Sequence, residues 1–124
     1  MTEAAIKRWI DRHLPTIMSQ LGLQEWFVRV SISTEEAPDI ALEIHTAASV
    51  DYDAPHREAH MTVHVTFVTN AAKLRAFVTH ELLHLVVADL ETVASTVARG
   101  EVEGALVEDA VELLVCRLEK IVLS

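Results

Sequence analysis

Cysteine occurs once in this chain, at Cys116. No intrachain disulfide can form, so the fold is not stapled, and cysteine usage carries no sign of an oxidising compartment. A single thiol in a helical stretch reads as an ordinary packed side chain with no chemical role. Glycine and proline number three each. Punctuation this sparse leaves no linker, and there is no repeat or low-complexity tract, so residues 1–124 are expected to form one domain. Basic residues are also scarce, 10 Lys and Arg against 19 Asp and Glu, for a net charge of −9. That balance argues against binding nucleic acid by phosphate neutralisation, and against docking on an anionic membrane. No apolar run reaches the roughly 18 residues of a transmembrane helix. The first residues carry charges every few positions and include no apolar core of a signal peptide, which predicts a cytoplasmic protein.

What is present is aliphatic. Apolar residues make up 51% of the chain although aromatics contribute only 5%, so a packed core is expected and Leu, Ile, Val and Ala must build most of it. Ile6, Ile10, Leu14, Ile17 and Leu21 recur at spacings of three and four, predicting a helix over Thr2 to Leu21 with Thr2 as its cap and Gly22 as its stop. Pro15 lies inside that span and is expected to kink or split it. Glu25 to Ser33 reads as a strand, with Val28, Val30 and Ile32 on one side. Ile40 to Val50 is a weaker strand, and Asp51 to Arg57 reads as a turn containing Pro55. From Glu58 to Thr69, Ala59, Met61, Val63, Val65 and Phe67 alternate with His60, Thr62, His64 and Thr66, the pattern of a half-buried strand. The period then changes. Asn70 is a suitable cap for a helix over Ala71 to Glu91, and a connection through Gly100 leads to a last helix over about Glu101 to Leu123. Strands followed by a run of helices predict an α+β domain. Its parts are an N-terminal helix, a small, largely antiparallel three-stranded sheet, an active-site helix and a C-terminal glutamate helix.

Residues 80 to 84 read His-Glu-Leu-Leu-His. On a helix, positions i and i+4 lie about 40° apart and roughly 6 Å along the axis, so two imidazoles can reach one metal ion. Zinc takes histidine nitrogen readily, wants four ligands, and in catalytic sites leaves one position to water. Glu81 projects beside the pair, the wrong neighbour to be a ligand itself but well placed to take a proton from metal-bound water. Leu74, Phe77, Val78, Leu82, Leu83, Leu85, Val86, Val87 and Leu90 make this helix apolar nearly all round, which predicts burial. A buried His-Glu-His cluster must be paired or metal-bound.

The third ligand is sought on the last helix, which offers Glu101, Glu103, Glu108, Glu112 and Glu119. Val107, Val111, Leu114, Val115 and Leu118 form its apolar arc. Glu108 borders that arc and is taken as the third metal ligand. Glu112, further round, is taken as the carboxylate that holds a histidine N–H. A solvated acidic stripe is the plain alternative for both. His60 and His64 also stand four apart, but on a strand that is about 13 Å, too far to share an ion. His13, His45 and His56 have no partner by spacing. Trp9, Trp26, Phe27, Phe67 and Phe77 are expected in the core. Tyr52, near a turn, is a minor candidate for an oxyanion donor.

With His80-Glu81-Leu82-Leu83-His84 followed by Glu108-Asp109-Ala110-Val111-Glu112 on a later helix, the chain resembles the gluzincin branch of zinc metallopeptidases, in the minimal form of short peptidases encoded by phages and prophages. The resemblance covers about residues 80 to 114. It implies a zinc peptidase acting on peptide or protein substrates, with Glu81 as general base. A bacterial metalloprotein family of ribosomal RNA maturation shares the His-x-Leu-Leu-His-Leu run. It carries Gly where Glu81 stands and a third His where Leu90 stands, so it is excluded. A catalytically weak or inactive zincin-fold module that binds zinc and a peptide is the alternative to the enzyme.

Overall fold

The computed structural model describes residues 1–35, 47–88, 90–91 and 104–123. Helix α1 spans Glu3–Gln20. Strands β1 (Phe27–Ser33), β2 (Ala48–Asp53) and β3 (Glu58–His64) follow, then a short 3-10 turn over Val65–Phe67, helix α2 (Ala71–Val86) and helix α3 (Gly104–Val122). The architecture is α+β.

The ends of α1 lie close to where the sequence puts them, and the cause is local. Thr2 Oγ1 accepts the Ala5 N–H at 3.1 Å, satisfying one of the orphan donors of the first turn. At the other end the Leu23 N–H reaches back to the Met18 carbonyl at 2.8 Å and the Gly22 N–H to the Ser19 carbonyl at 3.2 Å. This closure needs a residue with positive φ, and Gly22 supplies it at +72°. Pro15 neither splits nor ends the helix. It sits on the exposed side, so the Asp11 carbonyl that it leaves without a helical donor lies on the wet face.

The sheet has the order β1-β3-β2. β2 pairs antiparallel with β3, from Ala48↔Val63 to Asp53↔Glu58. β1 pairs parallel with β3, from Phe27↔Glu58 to Ser33↔His64. The sheet is therefore mixed rather than largely antiparallel. Asp51, Tyr52 and Asp53, which read as turn, are strand. They look turn-like because one face of β2 is wet: Ser49, Asp51 and Asp53 are exposed while Ala48 is buried. The reversal is confined to Ala54–Arg57, where the Arg57 N–H bonds the Ala54 carbonyl at 3.2 Å and Arg57 takes a φ of +54°. Residues 40–46 of the expected second strand lie outside the described residues. β3 stops at His64 instead of Thr69. Its partners run out there, with β1 ending at Ser33 and β2 starting at Ala48, and the chain curls into the 3-10 turn.

Ala59, Met61 and Val63 of β3 face Ile6, Ile10 and Ile17 of α1 and Leu74, Val78, Leu82 and Leu85 of α2, in one apolar cluster. Both helices thus cover one side of the sheet. A second cluster joins Leu83 and Val87, at the C-terminal end of α2, to Val111 and Val115 of α3. α2 is wedged between the sheet and α3, which is why its sequence is apolar nearly all round. Trp26 is buried, and Trp9 and Phe77 pack against the core. Phe27 does not belong to it. It is 64% exposed, because it opens the edge strand β1 with its side chain on the uncovered face of the sheet. Among the described residues no helix is long and apolar enough to cross a membrane.

Candidate metal centre

Asn70 starts the helix that carries the motif, its Oδ1 accepting the Lys73 N–H at 2.9 Å. Ten residues on, α2 buries three consecutive polar residues, Thr79, His80 and Glu81, at 1%, 2% and 4% exposure. Burial of that kind requires partners. The partners of the histidines come from α3. His80 Nε2 lies 2.7 Å from Glu112 Oε1, and His84 Nε2 lies 2.9 Å from Glu112 Oε2. One carboxylate therefore stands between the two imidazoles. On its other side His80 donates from Nδ1 to Glu119 Oε2 at 2.6 Å.

The pairings follow from antiparallel packing. His80 meets Glu119 and His84 meets Glu112, so rising through α2 means descending through α3. Glu108 lies one turn past Glu112 on α3, beyond the histidine pair, and is exposed. The structure does not bring Glu108 to the site. Glu112 occupies the position expected of Glu108, and Glu119 makes the histidine N–H contact expected of Glu112. The relative height of two helices is a tertiary property, and the spacing of glutamates on one helix does not contain it. Glu101 and Glu103 lie outside the described residues.

The charge states form a coherent set. Burial pulls the His80 pKa down, but the hydrogen bond to Glu119 and the charges of Glu112, Glu81 and Glu119 outweigh it, and the net shift is upward. His84 goes the other way: burial dominates and its pKa falls, despite the nearby carboxylates of Glu112 and Glu91. Glu81 is pushed up to about 8, first by burial and then by the charges of Glu112 and Glu119, with His80 opposing. Glu81 lines a cavity of about 210 Å³ with Ala48, Lys73, Phe77, His80 and Glu119. A larger depression of about 490 Å³ lies on the uncovered face of the sheet, beside Phe27, Arg29, Asp51 and His60. It holds no part of the His-Glu-His group.

The donor set fits a divalent cation. The Nδ1 proton of His80 is committed to Glu119, so in the neutral ring Nε2 is a lone pair. Two lone-pair atoms at 2.7 Å need positive charge between them. Either a second ring proton, which the upward shift of His80 favours, or a metal ion supplies that charge; buried Nε2 has no well-aligned hydrogen-bond partner among the described residues. A metal ion drawing on His80, His84 and Glu112 would relieve the contact, and two imidazoles with a carboxylate are a donor set that would suit zinc. Cys116 is a neighbour of this group that the sequence did not single out. A ring nitrogen of His80, an oxygen of Glu112 and Cys116 Sγ lie within 4.8 Å of one another. The available signal was its spacing, four residues after Glu112.

The remaining candidates stand apart from this cluster. His60 Nε2 is hydrogen-bonded to Ser31 Oγ at 2.6 Å across β1 and β3. His56 caps the β2–β3 turn, with its ring 2.8 Å from Asp53 Oδ2, and His13 stacks on Trp9. His45 lies outside the described residues. Tyr52 donates its hydroxyl proton to Glu91. Burial, that bond and the Glu91 charge hold the phenol well above its ordinary range, so its proton is already committed. Neither a family model, nor a curated protein, nor a solved structure matches the chain.

Proposed function

We propose that this protein is a zinc-dependent hydrolase, most simply a metallopeptidase, in which His80, His84 and Glu112 hold the metal and Glu81 is the general base. The observation that carries the reading is the convergence of both Nε2 atoms on the Glu112 carboxylate, at 2.7 and 2.9 Å, directly beside a buried glutamate that lines a cavity. When bound, zinc acidifies a water molecule and polarises a carbonyl.

The protein's own residues do the rest. Glu119 fixes the His80 ring and its tautomer through Nδ1, so that Nε2 is the ligating atom. Glu81 accepts the proton of the attacking water and returns it to the leaving amine. In the metal-free protein the raised pKa keeps Glu81 largely protonated at neutral pH. A cation beside it favours the charged form, so the base is readied by the same event that loads the site. Phe77 and Ala48 give the cavity an apolar wall. At about 210 Å³ it is smaller than the usual pocket for a whole small-molecule ligand, and fits one side chain of an extended substrate.

The test is zinc content by elemental analysis on wild type, Glu112→Gln and Glu108→Gln, followed by hydrolysis of a mixed peptide library. One zinc per chain is expected in wild type and Glu108→Gln, with loss in Glu112→Gln. Glu81→Gln should keep zinc and lose about 10²- to 10⁴-fold in hydrolysis. Zinc binding with no cleavage, unaltered by Glu81→Gln, would instead identify a zinc-stabilised binding module. A wild type that takes up no zinc sinks both.

A further inference from the structure

We propose that Cys116 is a fourth protein ligand, so that the resting centre is closed by two helical pairs, His80 with His84 and Glu112 with Cys116. The inference rests on the metal centre proposed above and changes what completes it. In the simple hydrolase the fourth position belongs to water; here a thiolate holds it.

Three observations converge. Glu112 and Cys116 are i and i+4 on α3, as His80 and His84 are on α2, and such pairs share a face. The thiol is turned toward the carboxylate between the histidines, with Sγ 4.0 Å from Glu112 Oε1. The same oxygen is 2.7 Å from His80 Nε2. That nitrogen, on a side chain only 2% exposed, has no well-aligned hydrogen-bond partner among the described residues. An orphaned buried imidazole nitrogen and a thiol thus flank one carboxylate oxygen from two sides. In a tetrahedral zinc site ligand atoms stand roughly 3.5 Å apart. A ring nitrogen of His80, an oxygen of Glu112 and Sγ already lie within 4.8 Å of one another, and His84, outside that group, reaches the other Glu112 oxygen at 2.9 Å, so side-chain rotations would have to bring the four donors together. Binding replaces the S–H bond by a sulfur–metal bond and releases the proton to solvent, with no change of oxidation state.

A centre with four protein ligands has no place for the attacking water. The thiolate is then a built-in stopper, and hydrolysis requires it to leave. The sulfur also moves the site toward softer, more tightly held metal.

Cobalt(II) titration of the metal-free full-length protein tests this, because cobalt takes zinc's geometry and reports its ligands by absorption. Wild type is expected to show both the visible bands of a tetrahedral site and a near-ultraviolet sulfur-to-cobalt charge-transfer band. Cys116→Ala and Cys116→Ser should both lose the charge-transfer band, retain cobalt, and bind it at least about tenfold more weakly. Independently, iodoacetamide should alkylate Cys116 at least about tenfold faster in metal-free than in zinc-loaded protein, since a coordinated thiolate is shielded. Visible bands without the charge-transfer band in wild type, or equal alkylation rates with and without zinc, overturn the thiolate ligand and leave the three-ligand centre standing. No cobalt uptake by wild type overturns both.

Discussion

Two pairs of histidines in this chain have the same spacing, and they do different things. His60 and His64 stand four apart on β3, while His80 and His84 stand four apart on α2. The strand stretches its pair along the open face of the sheet, where His60 is tied to Ser31 of the neighbouring strand at 2.6 Å. The helix folds its pair back onto one face, where both rings meet a single carboxylate from another helix. The difference is the repeat of the backbone, 2 against 3.6, acting on identical residues. A spacing in the sequence is therefore a ligand set only after the element that carries it is known.

The sharpest way to break this comparison is to remove one histidine from each pair. If the proposed centre binds zinc with the roughly 10–16 kcal/mol of a structural site, three or four ligands would each contribute about 3–5 kcal/mol. His80→Ala should weaken zinc by about 10²- to 10⁴-fold in a chelator competition, and His60→Ala should leave it within about twofold. Equal losses would mean that the strand pair also serves the metal.

The next effect concerns the charge buried beside the helical pair. The folded metal-free protein holds the Glu81 proton more tightly than the unfolded chain does, with a pKa raised from 4.5 to about 8. Its stabilising contribution is complete below pH 4.5 and is lost as pH rises through about 8. Glu81→Gln should accordingly stabilise the metal-free protein at pH 8 by about 2–4 kcal/mol, seen as a higher Tm, with the advantage vanishing below pH 4.5. An advantage independent of pH would assign the effect to packing. A smaller change is expected at the outer contact of the pair: Glu119→Gln should cost about 10- to 100-fold in zinc affinity, since it frees the His80 ring without removing a ligand. Smallest of all, Ser31→Ala cuts the Ser31–His60 hydrogen bond on an exposed face and should change stability by less than about 0.5 kcal/mol in urea unfolding.

Legibility followed the same division between local and tertiary causes. The ends of α1 were readable because Thr2 and Gly22 act within a turn of themselves. The inward side of β3 was readable because Ala59, Met61 and Val63 all face one core. That His80 and His84 share one face of α2 was readable for the same reason, since one helix contains the whole pair. The parallel pairing of β1 with β3 was not, because neither strand's pattern names its neighbour. β2 was misplaced because an open sheet face admits Asp51 and Asp53, which in isolation look like a turn. The choice among glutamates failed at the interface. Which of Glu108 and Glu112 stands opposite His84 depends on how far α3 has slid along α2, and the packing of Leu83 and Val87 on Val111 and Val115 decides it.

The wedged position of α2 has a consequence for motion. Its histidines ride on a helix packed against the sheet and α1 on one side and against α3 on the other, so its amide protons near residues 80–83 are covered from both sides. They should exchange only when the whole domain opens, at the slowest rate in the molecule, whereas the cap residues of α1 exchange through fraying. The imidazoles are thus held in place by the global stability of the fold, and an ion taken up by the proposed centre would find them preorganised to the degree that the protein is folded at all.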